Sequence, residues 1–280
     1  MTYYTKNFQL GLVGYPIGHS LSPKIHQESA KILKITATYD LFEFAETEIP
    51  NFLKIFWKKG GTGFNITSPY KQIIANHISE KPCLPINTVY RGTNGWLGCS
   101  TDGQGFLNTL KRFKISCDDF DQFIILGSGG AVISILKELI HKVSKKKFFI
   151  FRRSLKNDFY FDSLKIKKNQ ITLHDFDPIK VKKITSKNKN QKTLMIQGTS
   201  APFKGEYLEN FRDVLNNFNG AFYELNYGKT SQLLNIARHK GIPCFDGKTM
   251  LLEQALISQK YWWGKSANFE SLVNQLNLKV

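Results

Sequence analysis

Residues 122–154 read QFIILGSGGAVISILKELIHKVSKKKFFIFRRS: an apolar strand, a glycine turn, a helix and a second apolar strand. On the helix Val132, Ile135, Leu136, Leu139, Ile140 and Val143 recur at helical spacing, so one face packs on a sheet. A strand–turn–helix of this kind opens a parallel α/β layer. The turn itself is Gly127-Ser128-Gly129-Gly130-Ala131. Glycines there allow a tight turn and close backbone approach, and the helix start offers free N–H groups and a positive dipole end to a pyrophosphate. Val132 takes the last position of G-x-G-x-x-G, so a turn that only packs the helix is the competing reading.

The next strand sharpens the choice. NAD-binding folds place an acidic residue at its end to hold the ribose 2′-hydroxyl. Here the strand ends in Arg152-Arg153-Ser154. Two guanidinium groups and a hydroxyl suit a 2′-phosphate, so NADP is favoured over NAD. The plainer alternative is that the arginines extend a basic surface.

Outward from this core the chain falls into two parts. A helix over 104–113 leads into the strand, and later strands are expected at 193–198 and 220–227. Residues 155–190 are polar and weakly patterned. The first hundred residues alternate strands (8–16, 38–44, 61–67) with helices (22–35, 49–60), with Ser22 as N-cap and Pro23 at the first helical position of the former. From Asp246 the chain reads as two helices that could return to the first part. The expected architecture is α/β with two domains and a cleft between them: residues 1–103 completed by 247–280, and a Rossmann-like NADP-binding domain over 104–246.

The 280 residues include 39 Lys+Arg against 22 Asp+Glu, a net charge of +17 that raises a polyanion as partner. Only six of those cations are Arg, the usual reader of bases and phosphates, and Lys is spread along the chain. A background amino-acid bias accounts for the charge better than nucleic-acid binding does. Four scattered cysteines form no C-x-x-C pair and read as small buried side chains in a reducing compartment. The six histidines show no ligand spacing, so no metal is expected. The start of the chain lacks a secretory pattern and no apolar run is long enough to span a membrane, which points to the cytoplasm.

Polar clusters stand at the ends of the early strands: GYPIGHSLSP (14–23), NITSPYK (65–71), INT (86–88) and STDG (100–103). They offer hydroxyls (Ser20, Ser22, Thr67), an amide (Asn87), a cation (Lys71) and a carboxylate (Asp102), an inventory that fits a small polyhydroxylated ligand. Taken singly each has a plainer reading: Ser22 as a cap, Asn87 as a turn filler, Lys71 as a solvated charge.

These clusters, with the glycine turn and the closing DGKTMLLEQA (246–255), resemble in order and wording the motifs of the shikimate dehydrogenase family, from about Gly11 to Gly264. The resemblance implies reversible NADPH-linked reduction of 3-dehydroshikimate to shikimate, in the biosynthesis of chorismate and the aromatic amino acids. By position it makes Lys71 and Asp102 the catalytic pair, Lys71 passing its proton as hydride moves to or from the nicotinamide. It gives Ser20 and Ser22 to the substrate carboxylate, with Thr67, Asn87, Tyr227 and Gln254 completing the hydrogen bonds. Gly247 and the backbone near Leu225 would lie by the nicotinamide, and the protein would work as a monomer or homodimer. Departures are a short stretch between Lys71 and Asn87, Arg152-Arg153-Ser154 where the family has Asn-Arg-Thr, Asn157 in place of a basic residue, QGTS (197–200) for Asn-Ala-Thr-Ser, and Glu224 for Asp. The rivals are a quinate or other polyol-acid dehydrogenase of the same family, and a non-catalytic relative that binds polyanions.

Overall fold

Two sheets, of five and six strands, organise the computed structural model, which describes residues 7–78, 85–153, 161, 170–187, 190–206, 208–216 and 218–279. The chain divides into two units, Met1–Gly105 with Leu251–Val280, and Phe106–Met250. The divisions fall two residues after the expected 103 and four after the expected 246.

In the first unit β1 (Phe8–Val13), β2 (Ala37–Phe42) and β3 (Gly63–Ile66) run parallel, and β4 (Thr88–Arg91) and β5 (Trp96–Cys99) add an antiparallel hairpin, in the order β2-β1-β3-β4-β5. The hairpin escaped the sequence reading. Its signal is the turn Gly92-Thr93-Asn94-Gly95, where the Gly92 N–H donates to the Gly95 carbonyl at 2.9 Å. Helix α1 covers Ser22–Leu33, but its N-cap is Leu21, with no side-chain cap. Ser22 therefore lies inside the first turn, a correction to its expected capping role: Pro23 has no N–H to be capped, and the Ser22 N–H already donates to Ser20 Oγ at 3.2 Å. Helix α2 (Ile49–Lys58) buries Ile49, Leu53 and Phe56 at helical spacing. They meet Phe64 of β3 and Trp96 of β5 in an aromatic core, with Phe56 and Trp96 stacked at 5.9 Å.

In the second unit all pairings are parallel, in the order β11-β10-β9-β6-β7-β8. The strands are β6 (Gln122–Leu126), β7 (Lys147–Arg152), β8 (Ile171–Asp175), β9 (Thr193–Gln197), β10 (Gly220–Glu224) and β11 (Cys244–Phe245). The order reverses at β6, so the ends of β6 and β9 form the switch point where such sheets take ligands. Helix α3 (Asp102–Arg112) begins two residues before the predicted 104, and α4 covers Gly130–Lys142. Strand β8 and α5 (Pro178–Lys187) lie in the stretch the sequence left unread; β8 is half-exposed at the sheet edge, which erases its apolar pattern. Helix α6 (Gln232–His239) precedes β11; α7 (Lys248–Trp263) and α8 (Phe269–Leu276) close the chain. Leu252 and Ala255 of α7 pack with Ile25 of α1 and Leu272 of α8.

Cys117 is buried and Cys99 and Cys244 are half-buried, all free thiols. Burial pushes the Cys99 thiol up to about 12 and Cys117 to about 11. Cys83 lies outside the described residues. No helix among the described residues is long and apolar enough to cross a membrane, and no three His, Cys, Asp or Glu side chains there converge as a metal site.

Candidate active site

Strands β1, β3 and β5 run in the same direction, and the loops leaving their C-terminal ends meet at one edge of the first sheet. After β1 the chain turns at Gly14. A Cβ there would stand 2.4 Å from the Thr67 methyl, so only glycine lets the 14–21 loop lie against the segment after β3. The Tyr15 N–H donates to the Ser68 carbonyl at 3.1 Å and the Thr67 N–H to the Val13 carbonyl at 3.0 Å. Both X-Pro bonds of these loops, Tyr15–Pro16 and Ser68–Pro69, are cis. Ser20 and Thr67 thus come from two loops that are hydrogen-bonded to each other, and Ser22 from the first turn of α1 that follows the former.

Lys71 follows a turn in which the Tyr70 N–H donates to the Thr67 carbonyl at 3.0 Å. Its ammonium donates to Asp102 Oδ2 at 2.6 Å; the Lys71 side chain is 19% exposed and that of Asp102 is 7% exposed. Asp102 opens α3. Its other oxygen, Oδ1, accepts from the Asn87 amide at 3.0 Å. The same Asn87 nitrogen lies 2.9 Å from Thr101 Oγ1 and 3.0 Å from Gln254 Oε1, so two protons serve three acceptors. Asn87 Oδ1 accepts from the Thr101 N–H at 2.8 Å. Gln254, on α7, also accepts from the Thr101 hydroxyl at 3.2 Å. The structure therefore joins Lys71, Asp102, Asn87 and Gln254 in one hydrogen-bonded chain.

A buried layer beneath it was missed in the sequence. Asn65, inside β3, donates to the Asn87 carbonyl (3.0 Å), Thr88 Oγ1 (3.1 Å) and Ser258 Oγ (3.2 Å), and accepts from the Tyr39 hydroxyl at 2.8 Å. An amide in the otherwise apolar strand GFNI was the available signal. Below Tyr39, stacked at 4.6 Å, lies His26, 1% exposed, with neither ring nitrogen hydrogen-bonded among the described residues. Burial pushes its pKa down to about 3, neighbouring Asn65 offsetting only part of the effect.

The second unit holds the other predicted residues. Gly127 follows β6 with φ +115°, and a Cβ on it would stand 2.9 Å from the Gly198 carbonyl group. Its N–H donates to the Phe151 carbonyl at 2.7 Å, while the Gly198 N–H donates to the Leu126 carbonyl at 2.8 Å. Gly129 is the N-cap of α4, with no side-chain cap, and a Cβ there would meet nothing within 4 Å. Ser128 is buried beside it, and Gly130 and Ala131 begin the helix. The turn is thus rigid on its sheet side and open at the uncapped helix start, which fits a pyrophosphate.

Arg152 ends β7 and Arg153 follows it, its guanidinium ion-paired with Glu206 and 4.8 Å from the centre of the Phe176 ring. Neither residue at this strand end is acidic, which fits the 2′-phosphate of NADP. Ser154 and Asn157 lie outside the described residues. Leu225 follows β10, its N–H donating to the Gln197 carbonyl at 2.9 Å, and a Cβ on Gly247 would meet the Leu225 carbonyl oxygen at 2.1 Å. Those two positions are therefore backbone neighbours. Glu224, the residue before Leu225, is fully buried and accepts from the Ser231 N–H (3.0 Å) and the Asn226 amide (2.6 Å), and burial raises its pKa. Tyr227 lies half-buried in the loop so shaped.

A family model described as the shikimate dehydrogenase substrate binding domain matches residues 12–82. Over nearly the whole chain, two relatives named NADP(+) shikimate dehydrogenase align. That of Buchnera aphidicola subsp. Cinara cedri is 32% identical, covering 98% of this chain and 97% of its own. That of Bacillus subtilis is 29% identical, covering 94% of each. The crystal structure of shikimate dehydrogenase from Aquifex aeolicus superposes with a TM-score of 0.80 at 25% identity, over 97% of this chain and 98% of that one. Matching such relatives nearly end to end, at up to 32% identity, the chain belongs to the shikimate dehydrogenase family.

Proposed function

We propose that this protein catalyses the reversible NADPH-linked reduction of 3-dehydroshikimate to shikimate. The observation that carries it is the Lys71–Asp102 pair, 2.6 Å apart and tied through Asn87 to Gln254 at the strand ends. Reducing a ketone adds a hydride to carbon and a proton to oxygen. NADPH, when bound, supplies the hydride. The Lys71 ammonium is the acid for the oxygen, and Asp102, held at Oδ1 by Asn87, keeps it aimed. In the reverse direction the amine takes the hydroxyl proton. The hydroxyls of Ser20 and Ser22 are the donors for the substrate carboxylate, and Thr67, Gln254 and Asn87 serve the ring hydroxyls. Tyr227 is a further proposed substrate ligand. In the second unit Gly127 to Ala131 would hold the pyrophosphate, Arg152 and Arg153 (with Ser154) the 2′-phosphate, and the Leu225 and Gly247 backbone the nicotinamide. The same reading makes the protein a cytoplasmic enzyme working as a monomer or homodimer.

The test is absorbance at the nicotinamide band with shikimate and either NADP or NAD. Reduction of NADP is expected, with Lys71→Ala lowering turnover about 10²–10⁴-fold, the worth of positioned proton transfer. Turnover of the variant within tenfold of the parent removes Lys71 from the catalytic role. Activity on quinate alone keeps the fold and changes the substrate.

A further inference from the structure

Arg153 and Glu206 are 53 positions apart in the chain, yet their side chains are ion-paired. Arg153 follows β7, and Glu206 belongs to the segment after β9; those two strands flank β6, from which the glycine turn departs. The pairing is built into the backbone. A turn of 3-10 helix, Ala201–Lys204, ends at Gly205 with φ +68°, and the Glu206 N–H donates to the carbonyl of buried Ala201 at 2.9 Å. Phe176 lies 4.8 Å from the same guanidinium, so Arg153 has a carboxylate at its fork and a ring close by. The hydrogen bond from Arg153 holds the Glu206 carboxyl below its usual range, so it is charged at neutral pH.

We propose that Glu206 is a resident counter-ion of Arg153 that the 2′-phosphate must displace, and so a determinant of how strongly this enzyme prefers NADP to NAD. This rests on the reading of Arg153 as a 2′-phosphate ligand. A phosphate carrying nearly two charges outbids one carboxylate for an arginine fork. Binding it nevertheless breaks an existing pair and leaves Glu206 beside a dianion. A ligand without the 2′-phosphate meets neither cost. Glu206 therefore weakens the phosphorylated ligand selectively.

The experiment is calorimetric titration of the full-length protein with adenosine 2′,5′-bisphosphate and with adenosine 5′-monophosphate, at low ionic strength. Glu206→Gln keeps the shape and removes the charge. It is expected to tighten the bisphosphate about two- to fivefold, the range of an exposed ion pair, and to leave the monophosphate unchanged. Arg153→Gln is expected to weaken the bisphosphate and leave the monophosphate unchanged, Arg152 retaining part of the preference, and adding Glu206→Gln to it should change neither ligand further. An unchanged bisphosphate affinity in Glu206→Gln, or equal tightening of both ligands, overturns the role of Glu206 while leaving Arg153 in place. A preference undiminished in Arg153→Gln overturns the reading of Arg153 itself, and the inference with it.

Discussion

Asn87 in the first unit and Gly127 in the second each stand where a strand meets a loop, but they hold their surroundings by opposite means. Asn87 works through its side chain, whose amide touches Thr101, Asp102 and Gln254 and whose oxygen receives the Thr101 N–H. Gly127 works by having none: its φ of +115° and the 2.9 Å approach to Gly198 leave no room for a Cβ. The first arrangement suits a ligand read hydroxyl by hydroxyl, since each partner can be placed separately. The second suits a pyrophosphate, whose charge is met by backbone N–H groups that any sequence supplies once the turn is allowed. Substitution should therefore damage the first unit by unpairing polar groups and the second by adding atoms.

The largest effect is expected from Asn87→Ala. It leaves the Thr101 N–H and Asp102 Oδ1 without their partner, while Gln254 Oε1 keeps the Thr101 hydroxyl, and each buried unsatisfied group costs about 1–3 kcal/mol. A loss of about 3 kcal/mol in denaturant unfolding is expected, with kcat/KM for shikimate falling at least as steeply as this implies and nucleotide affinity unchanged. All four tryptophans, Trp57, Trp96, Trp262 and Trp263, are in the first unit, so their fluorescence follows its unfolding. A fall in nucleotide affinity equal to that in substrate affinity would break the contrast.

Gly127 and Gly129 split the second half of the comparison. Gly127→Ala forces a side chain into the positive-φ region and against backbone, at a cost of about 1–3 kcal/mol. Faster amide exchange over β6 and the start of α4 is the measurement. Gly129→Val meets open space on the protein side and keeps φ at −70°, so stability should hold while nucleotide binding is lost. Loss of stability in both variants would mean that the open face of the turn is structural and not a phosphate cradle.

Buried His26 adds an acid limit confined to the first unit. Its pKa falls from 6.5 in the unfolded chain to about 3 when folded, so the unfolded chain binds the proton first. Its contribution is complete above pH 6.5 and is lost as pH falls from there toward 3. At pH 5 the loss is about 2 kcal/mol. Trp262 and Trp263 pack edge-on against the imidazole, at 5.0 and 6.3 Å, and should report it. His26→Leu should flatten the profile between pH 8 and 5, and an unaltered slope in that variant would assign the acid sensitivity to other groups.

What could be read in advance divides along the same line. The glycine turn was visible because a backbone constraint leaves its mark at the constrained residue itself: no other side chain fits Gly127. The polar clusters were visible as clusters, each being local in sequence. Their wiring was not. Asn65 and Ser258 are 193 positions apart and meet only because α7 returns to the first sheet, and Glu206 meets Arg153 only across parallel strands. The β4–β5 hairpin was passed over because four-residue strands show too little alternation to register. Ser22 was misplaced by one position, since Ser-Pro reads as cap and first helical residue whether or not the turn begins earlier.

The smallest effect is also the most discriminating test of the layer beneath the site. Tyr39→Phe removes one hydroxyl and keeps the ring that stacks on His26. Asn65 Oδ1 then loses the Tyr39 donor, while its amide keeps Asn87, Thr88 and Ser258. The net cost of one hydrogen bond is about 1 kcal/mol. If Asn65 merely fills the strand, that cost appears in stability alone. If Asn65 is the fixed point from which Asn87 and then Asp102 are aimed, freeing it loosens the Lys71–Asp102 pair. In that case kcat falls several-fold with KM for shikimate nearly unchanged, because the ligand-binding hydroxyls of Ser20, Ser22 and Thr67 are held by other segments. A rise in KM with kcat unchanged would place Asn65 among the groups that shape the pocket, and the line of support from His26 through Tyr39 to the catalytic pair would end at the strand.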